Sequence, residues 1–141
     1  MSKVEAQSSG SARKIKWAVF AVLILSVAIV AMNLPRGFSD DLTRIGKGKP
    51  AVVFVRDKNA VESMQLMNVL NDIRGQYAGR AEFLLTDYDT PQGRAFIAAS
   101  HAAPINLVLF DASGKQLKIL AAPQTAASLE KEITSITGAK L

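Results

Sequence analysis

Residues 49–70 read KPAVVFVRDKNAVESMQLMNVL, and this stretch decides the fold. The run Ala51-Val52-Val53-Phe54-Val55 is apolar at every position, which suits a central strand covered on both faces. A polar turn, Arg56-Asp57-Lys58-Asn59, follows it. From about Ala60 to Tyr77 the apolar residues Met64, Met67, Leu70, Ile73 and Tyr77 recur at helical spacing, and Leu66 and Val69 widen the stripe. Gly75 and Gly79 weaken and end this helix. A strand running into a helix N-terminus is a place where α/β proteins put chemistry.

Downstream, Ala81 to Thr86 reads as a second strand. Thr90-Pro91 is a helix start, a cap followed by proline at the first helical position, and that helix runs to about Ser100. Ile105 to Phe110 is a third strand. Asp111-Ala112-Ser113-Gly114 is a hairpin turn leading into a fourth at Gln116 to Ala121. A last helix after Thr125 buries Leu129, Ile133 and Ile136. The strands at 51 and 81, joined by a helix, pair in parallel, and the final hairpin is antiparallel.

Upstream, Ser39 caps a short helix from Asp40 to Ile45, closed by Gly46. Before it lies an unbroken apolar run from Trp17 to Met32, preceded by Arg13-Lys14-Ile15-Lys16. With Ile15 and Leu34 included, it has the length of a membrane span, roughly 17–25 residues. Ser26-Val27-Ala28 offers a cleavage site for a signal peptide, but the run continues past it and favours an uncleaved anchor. The organisation expected is a disordered cytoplasmic tail at 1–14, a transmembrane signal anchor at 15–34, a linker at 35–38 and a folded domain at 39–141. The basic cluster before the span puts the N-terminus inside and the domain outside, in a bacterium the periplasmic side of the inner membrane.

Composition narrows the chemistry. Hydrophobic residues make up 49% of the chain and charged residues 21%; the net charge is +5. Much of that excess sits beside the span, so the basic balance does not point to nucleic acid. The chain has no cysteine, which excludes disulfides, thiolate metal sites and thiol redox chemistry by this chain alone.

Residues 49–141 resemble thioredoxin. The resemblance rests on Lys49-Pro50 before a buried strand, the turn and the long helix ending Ile73…Tyr77. Thr86-Asp87-Tyr88-Asp89, Ala103-Pro104 and the turn Asp111-Ala112-Ser113-Gly114-Lys115 extend it. It implies a mixed four-stranded sheet flanked by helices, with Pro104 as the family's cis-proline. The family's CxxC falls on Ala60, Val61, Glu62 and Ser63, so both sulfurs are gone. The aromatic before that motif is Asn59, the buried acid of the central strand is Phe54, and the proline within the long helix is Asn68.

What the resemblance leaves is a groove that grips an extended polypeptide, formed by Asp57, Lys58, Asn59 and Ala60 with Ala103 and Pro104. The reading is a redox-inactive, membrane-tethered module that binds another envelope protein, with no catalytic residue and no cofactor. The alternative is a glutathione- or serine-dependent enzyme using Ser63, with His101 as base and Asp57 as third member. Met32, Met64 and Met67 read as packing residues in place of a soft-metal site. Asp40, Asp41, Asp87 and Asp89 lack calcium-loop spacing. Gly46-Lys47-Gly48-Lys49 is too short for a phosphate loop. No metal and no nucleic-acid partner is expected.

Overall fold

The computed structural model describes residues 9–33 and 37–138, in two compact units divided after Arg36. The first is a single helix, α1 (Ser9–Asn33). Its stretch Gly10–Ala31 is long and apolar enough to cross a membrane. Ile15, Trp17, Phe20, Leu23 and Val27 all stand exposed on it. Because it begins at Ser9, residues 9–14 of the expected disordered tail are helical; residues 1–8 of that tail, and 34–36 at the expected junction of anchor and linker, lie outside the described part of the chain.

The second unit starts at Gly37, two residues earlier than expected. Phe38, assigned to the linker from sequence, packs against the core, with the Arg74 guanidinium 4.6 Å from its ring centroid. Four strands follow: β1 (Ala51–Arg56), β2 (Glu82–Asp87), β3 (Asn106–Phe110) and β4 (Gln116–Ala121). They form one sheet in the order β2-β1-β3-β4. β1 pairs parallel with β2 and antiparallel with β3, and β3 pairs antiparallel with β4. This is the mixed sheet expected from the resemblance.

Alternation along β1 feeds two cores. Val52 and Phe54 point to one face, where α2 (Val61–Arg74) and α4 (Ala126–Thr137) supply Leu66, Leu70, Ile73, Leu129 and Ile133. Ala51, Val53 and Val55 point to the other, which is covered by Phe96 and Ile97 of α3 (Pro91–Ser100) and by Leu42 and Ile45. All five apolar residues of β1 are buried, as a strand covered on both faces requires.

Local chemistry sets the helix ends. The Thr90 hydroxyl accepts from the Gly93 amide, with Pro91 in the first turn. Thr125 and Ser128 form a reciprocal capping box for α4. α3 ends at His101 in the left-handed conformation, φ 59°.

Three expectations are corrected. The segment after the linker is only a 3-10 turn, Leu42–Arg44, capped by the Asp41 carboxylate. Ser39 lies outside this turn: it bridges to Leu84, and its carbonyl accepts from the Leu85 amide. Two acids cannot prolong a helix whose preceding residue is already held on a sheet edge. On α2 the buried positions are Ser63, Leu66, Leu70 and Ile73, continued by Tyr77, and Met64 is 62% exposed. One residue is a rotation of about 100° on a helix, so burying Ser63 turns Met64 outward. The cis peptide bond found among the described residues is Ala122–Pro123, so Ala103–Pro104 is trans. The reason is turn chemistry. The Asn106 amide donates to the Ala103 carbonyl at 3.2 Å, placing Pro104 second in a β-turn. That place accepts an ordinary trans proline, whereas a cis-proline occupies the third.

Candidate partner-binding site

The site lies where β1 meets α2, at the carboxyl ends of the two parallel strands, where open α/β sheets leave room for ligands. Arg56, Asp57, Lys58, Asn59, Ala60 and Val61 line an open depression of about 290 Å³, joined by Ser63, Met64 and Met67. The turn is held from within. The Asp57 carboxylate accepts from the Asn59 amide at 2.9 Å, and the Asp57 carbonyl accepts from the Ala60 amide at 3.3 Å. This closes an Asx turn that delivers the chain into α2.

Ser63 completes the turn from below. The residue is 1% exposed, and Oγ accepts from the Asp57 amide at 3.0 Å. A buried hydroxyl without a partner costs about 2–7 kcal/mol; here it satisfies a backbone donor. That geometry argues against the serine-nucleophile alternative. A nucleophile needs its oxygen open to substrate and bonded to a base. Ser63 Oγ is enclosed and bonded to an amide, and His101 stands exposed at the end of α3 with no hydrogen bond to it.

The charges of the floor are tied together. Arg56 and Asp87 face each other in register across β1 and β2. Arg56 Nε donates to Asp87 Oδ1 at 2.6 Å, and Nη2 donates to Oδ2 at 3.1 Å. Lys58 Nζ adds ion pairs to Asp87 at 3.0 Å and Asp89 at 3.8 Å. The Arg56 hydrogen bond holds the Asp87 carboxyl below its ordinary range, against an opposing effect of burial, with Lys58 assisting. The same bond raises the Arg56 guanidinium. Sequence reading missed this pair; identical register positions on parallel strands become visible only once β1 and β2 are aligned.

Of the expected groove, Asp57, Lys58, Asn59 and Ala60 line the depression together, while Ala103 and Pro104 do not. Ala103 and Pro104 form an exposed turn beside it, tied in because the Ile105 amide donates to the Val55 carbonyl at 2.8 Å. Ile105 has φ 67°, a conformation that glycine adopts freely and a β-branched residue rarely does. Of the expected degenerate motif, Ala60, Val61 and Ser63 line the depression, and Glu62 is exposed on the first turn of α2. Val61 and Met64 stand 59% and 62% exposed beside it. Among the described residues no group of three or more histidine or acidic side chains is placed to hold a metal.

No protein-family model and no curated protein sequence matches this chain. Solved structures do. An uncharacterized thioredoxin-like protein from Clostridium perfringens superposes with a TM-score of 0.63 at 11% identity, over 70% of this chain and 79% of that one. A thioredoxin-like protein from Edwardsiella tarda gives 0.58 at 15% identity, over 64% and 87%. A point-mutant thioredoxin from Halobacterium salinarum gives 0.57 at 23% identity, over 70% and 81%. At such identities the likeness is one of fold: residues 37–138 form a domain with a thioredoxin-like fold, in a chain without cysteine whose N-terminal helix is long and apolar enough to cross a membrane.

Proposed function

We propose that this chain is a membrane-tethered module that binds another protein of the bacterial cell envelope, without a redox step, through the surface where β1 meets α2. One observation carries the reading. The strand-to-helix junction is built and rigidified by Asp57, Ser63 and the Arg56–Asp87 pair, yet it presents exposed Val61 and Met64 beside an open depression. Exposed apolar side chains on a rigid, internally satisfied frame suit recognition. The neighbouring Ala103–Pro104 turn flanks the same surface.

Helix α1 is the tether. The basic residues Arg13, Lys14 and Lys16 at its start favour an inner-membrane topology with the domain in the periplasm. The test is co-isolation of the tagged full chain from native membranes in mild detergent, with a Val61→Ser/Met64→Ser double variant alongside. The reading expects one defined envelope protein, at near-stoichiometric amount, to accompany the wild type and be lost from the variant. Equal recovery with both would overturn it.

A further inference from the structure

We infer that the segment seated on this surface presents an apolar side chain flanked by lysine or arginine. This rests on the reading of residues 56–67 as a protein-binding site and adds the chemistry of what binds there.

The first observation is which charges remain unpaired. Both cations of the floor are engaged, Arg56 with Asp87 and Lys58 with Asp87 and Asp89. Asp57 and the exposed Glu62 form no ion pair among the described residues. With Arg94, whose guanidinium donates to the Asp89 carbonyl, three cations stand against the four carboxylates Asp57, Glu62, Asp87 and Asp89 and leave one negative charge around the depression. The amino end of α2 opposes this with only about half a positive charge, and Glu62 sits in that first turn. The second observation is apolar: Val61 and Met64 are exposed at successive turns of one helix face, with Met67 half-buried one turn further. Methionines adapt to partners of varied shape. A leucine-like side chain packs on this stripe, and its basic neighbours reach Asp57 and Glu62. The chain as a whole carries +5, so undirected electrostatics would favour an acidic partner. A preference for a basic one therefore reports this surface and not the bulk.

The experiment uses the full chain in phosphatidylcholine nanodiscs and fluorescein-labelled nine-residue glycine–serine peptides. Three carry a central Lys-Leu-Lys, Glu-Leu-Glu or Lys-Ala-Lys, and binding is followed by anisotropy at low and high salt. The Lys-Leu-Lys peptide should bind most tightly and weaken with salt. Glu62→Lys should weaken it about two- to fivefold, and Met64→Ser about fivefold; both positions are exposed, so both variants fold. A tighter Glu-Leu-Glu peptide, no binding of any peptide, or equal binding by both variants would overturn the inference. Co-isolation of a defined partner through Val61 and Met64 would still stand in those cases, so the two failures are distinguishable.

Discussion

Arg56 and Asp87 are register partners on neighbouring parallel strands, joined by two hydrogen bonds in the floor of the candidate site. A fork-to-carboxylate pair of this kind fixes the ends of both strands at once. Asp87→Asn keeps the shape and removes the charge, leaving Arg56 without its counter-ion. Because Arg56 is 34% exposed and can turn to water, the expected cost is modest, about 1–2 kcal/mol in chemical denaturation.

The same pair predicts a pH dependence. The folded Asp87 carboxyl titrates below its ordinary value of 3.8. Its contribution is therefore fully present above that value and is lost as pH falls from 3.8 toward the folded pKa. Asp41 and Asp111 shift in the same direction from hydrogen bonds to Thr43 and Ser113, but on the open surface. Denaturation midpoints measured downward from about pH 5 should fall more steeply for wild type than for Asp87→Asn. Parallel curves would show that Asp87 is not the linked group.

Ser63 is expected to be structural. Ser63→Ala removes the acceptor of the Asp57 amide and should destabilise the domain by about 1–3 kcal/mol. A serine-reactive fluorophosphonate should leave Ser63 unlabelled. Labelling that disappears in Ser63→Ala would revive a nucleophilic role.

Ile105 holds φ 67° at the third position of the Ala103–Asn106 turn. A side chain there costs about 1–2 kcal/mol of backbone strain. Ile105→Gly and Ile105→Ala both lose packing against the core, but only glycine relieves the backbone. Glycine should therefore be the more stable of the two by about 1 kcal/mol, the reverse of the order in a strand. Thermal denaturation of the pair decides it.

Gly93 lies in the first turn of α3, where a Cβ would overlap the Asp87 carbonyl oxygen. Gly93→Ala should cost about 2–4 kcal/mol, because helix and strand must move apart. A change within a few tenths would mean the contact is looser than described.

Much of the fold was legible because its signals are local. The unbroken apolar run at 51–55, the Thr90-Pro91 start and the 111–114 turn each dictate an element without reference to the rest of the chain. The candidate site was legible only in outline. Burial of Ser63, and with it the outward turn of Met64, depends on which residue of α2 meets the Asp57 amide. The trans Ala103–Pro104 bond follows from a turn closed by Asn106, which the dipeptide alone does not specify. Arg56 and Asp87 lie 31 positions apart and become partners only through strand register.

The central claim is that a cysteine-free thioredoxin-like surface recognises a polypeptide where β1 meets α2. The most direct measurement is photo-crosslinking of the full chain in native membranes, with a benzophenone amino acid at Asn59 or Met64. The control places it at Ala98, exposed on α3 across the sheet. The account predicts one discrete adduct, the same partner from Asn59 and Met64, competed by the Lys-Leu-Lys peptide and absent from Ala98. Equal capture from Ala98, or none from Asn59 and Met64, would contradict it.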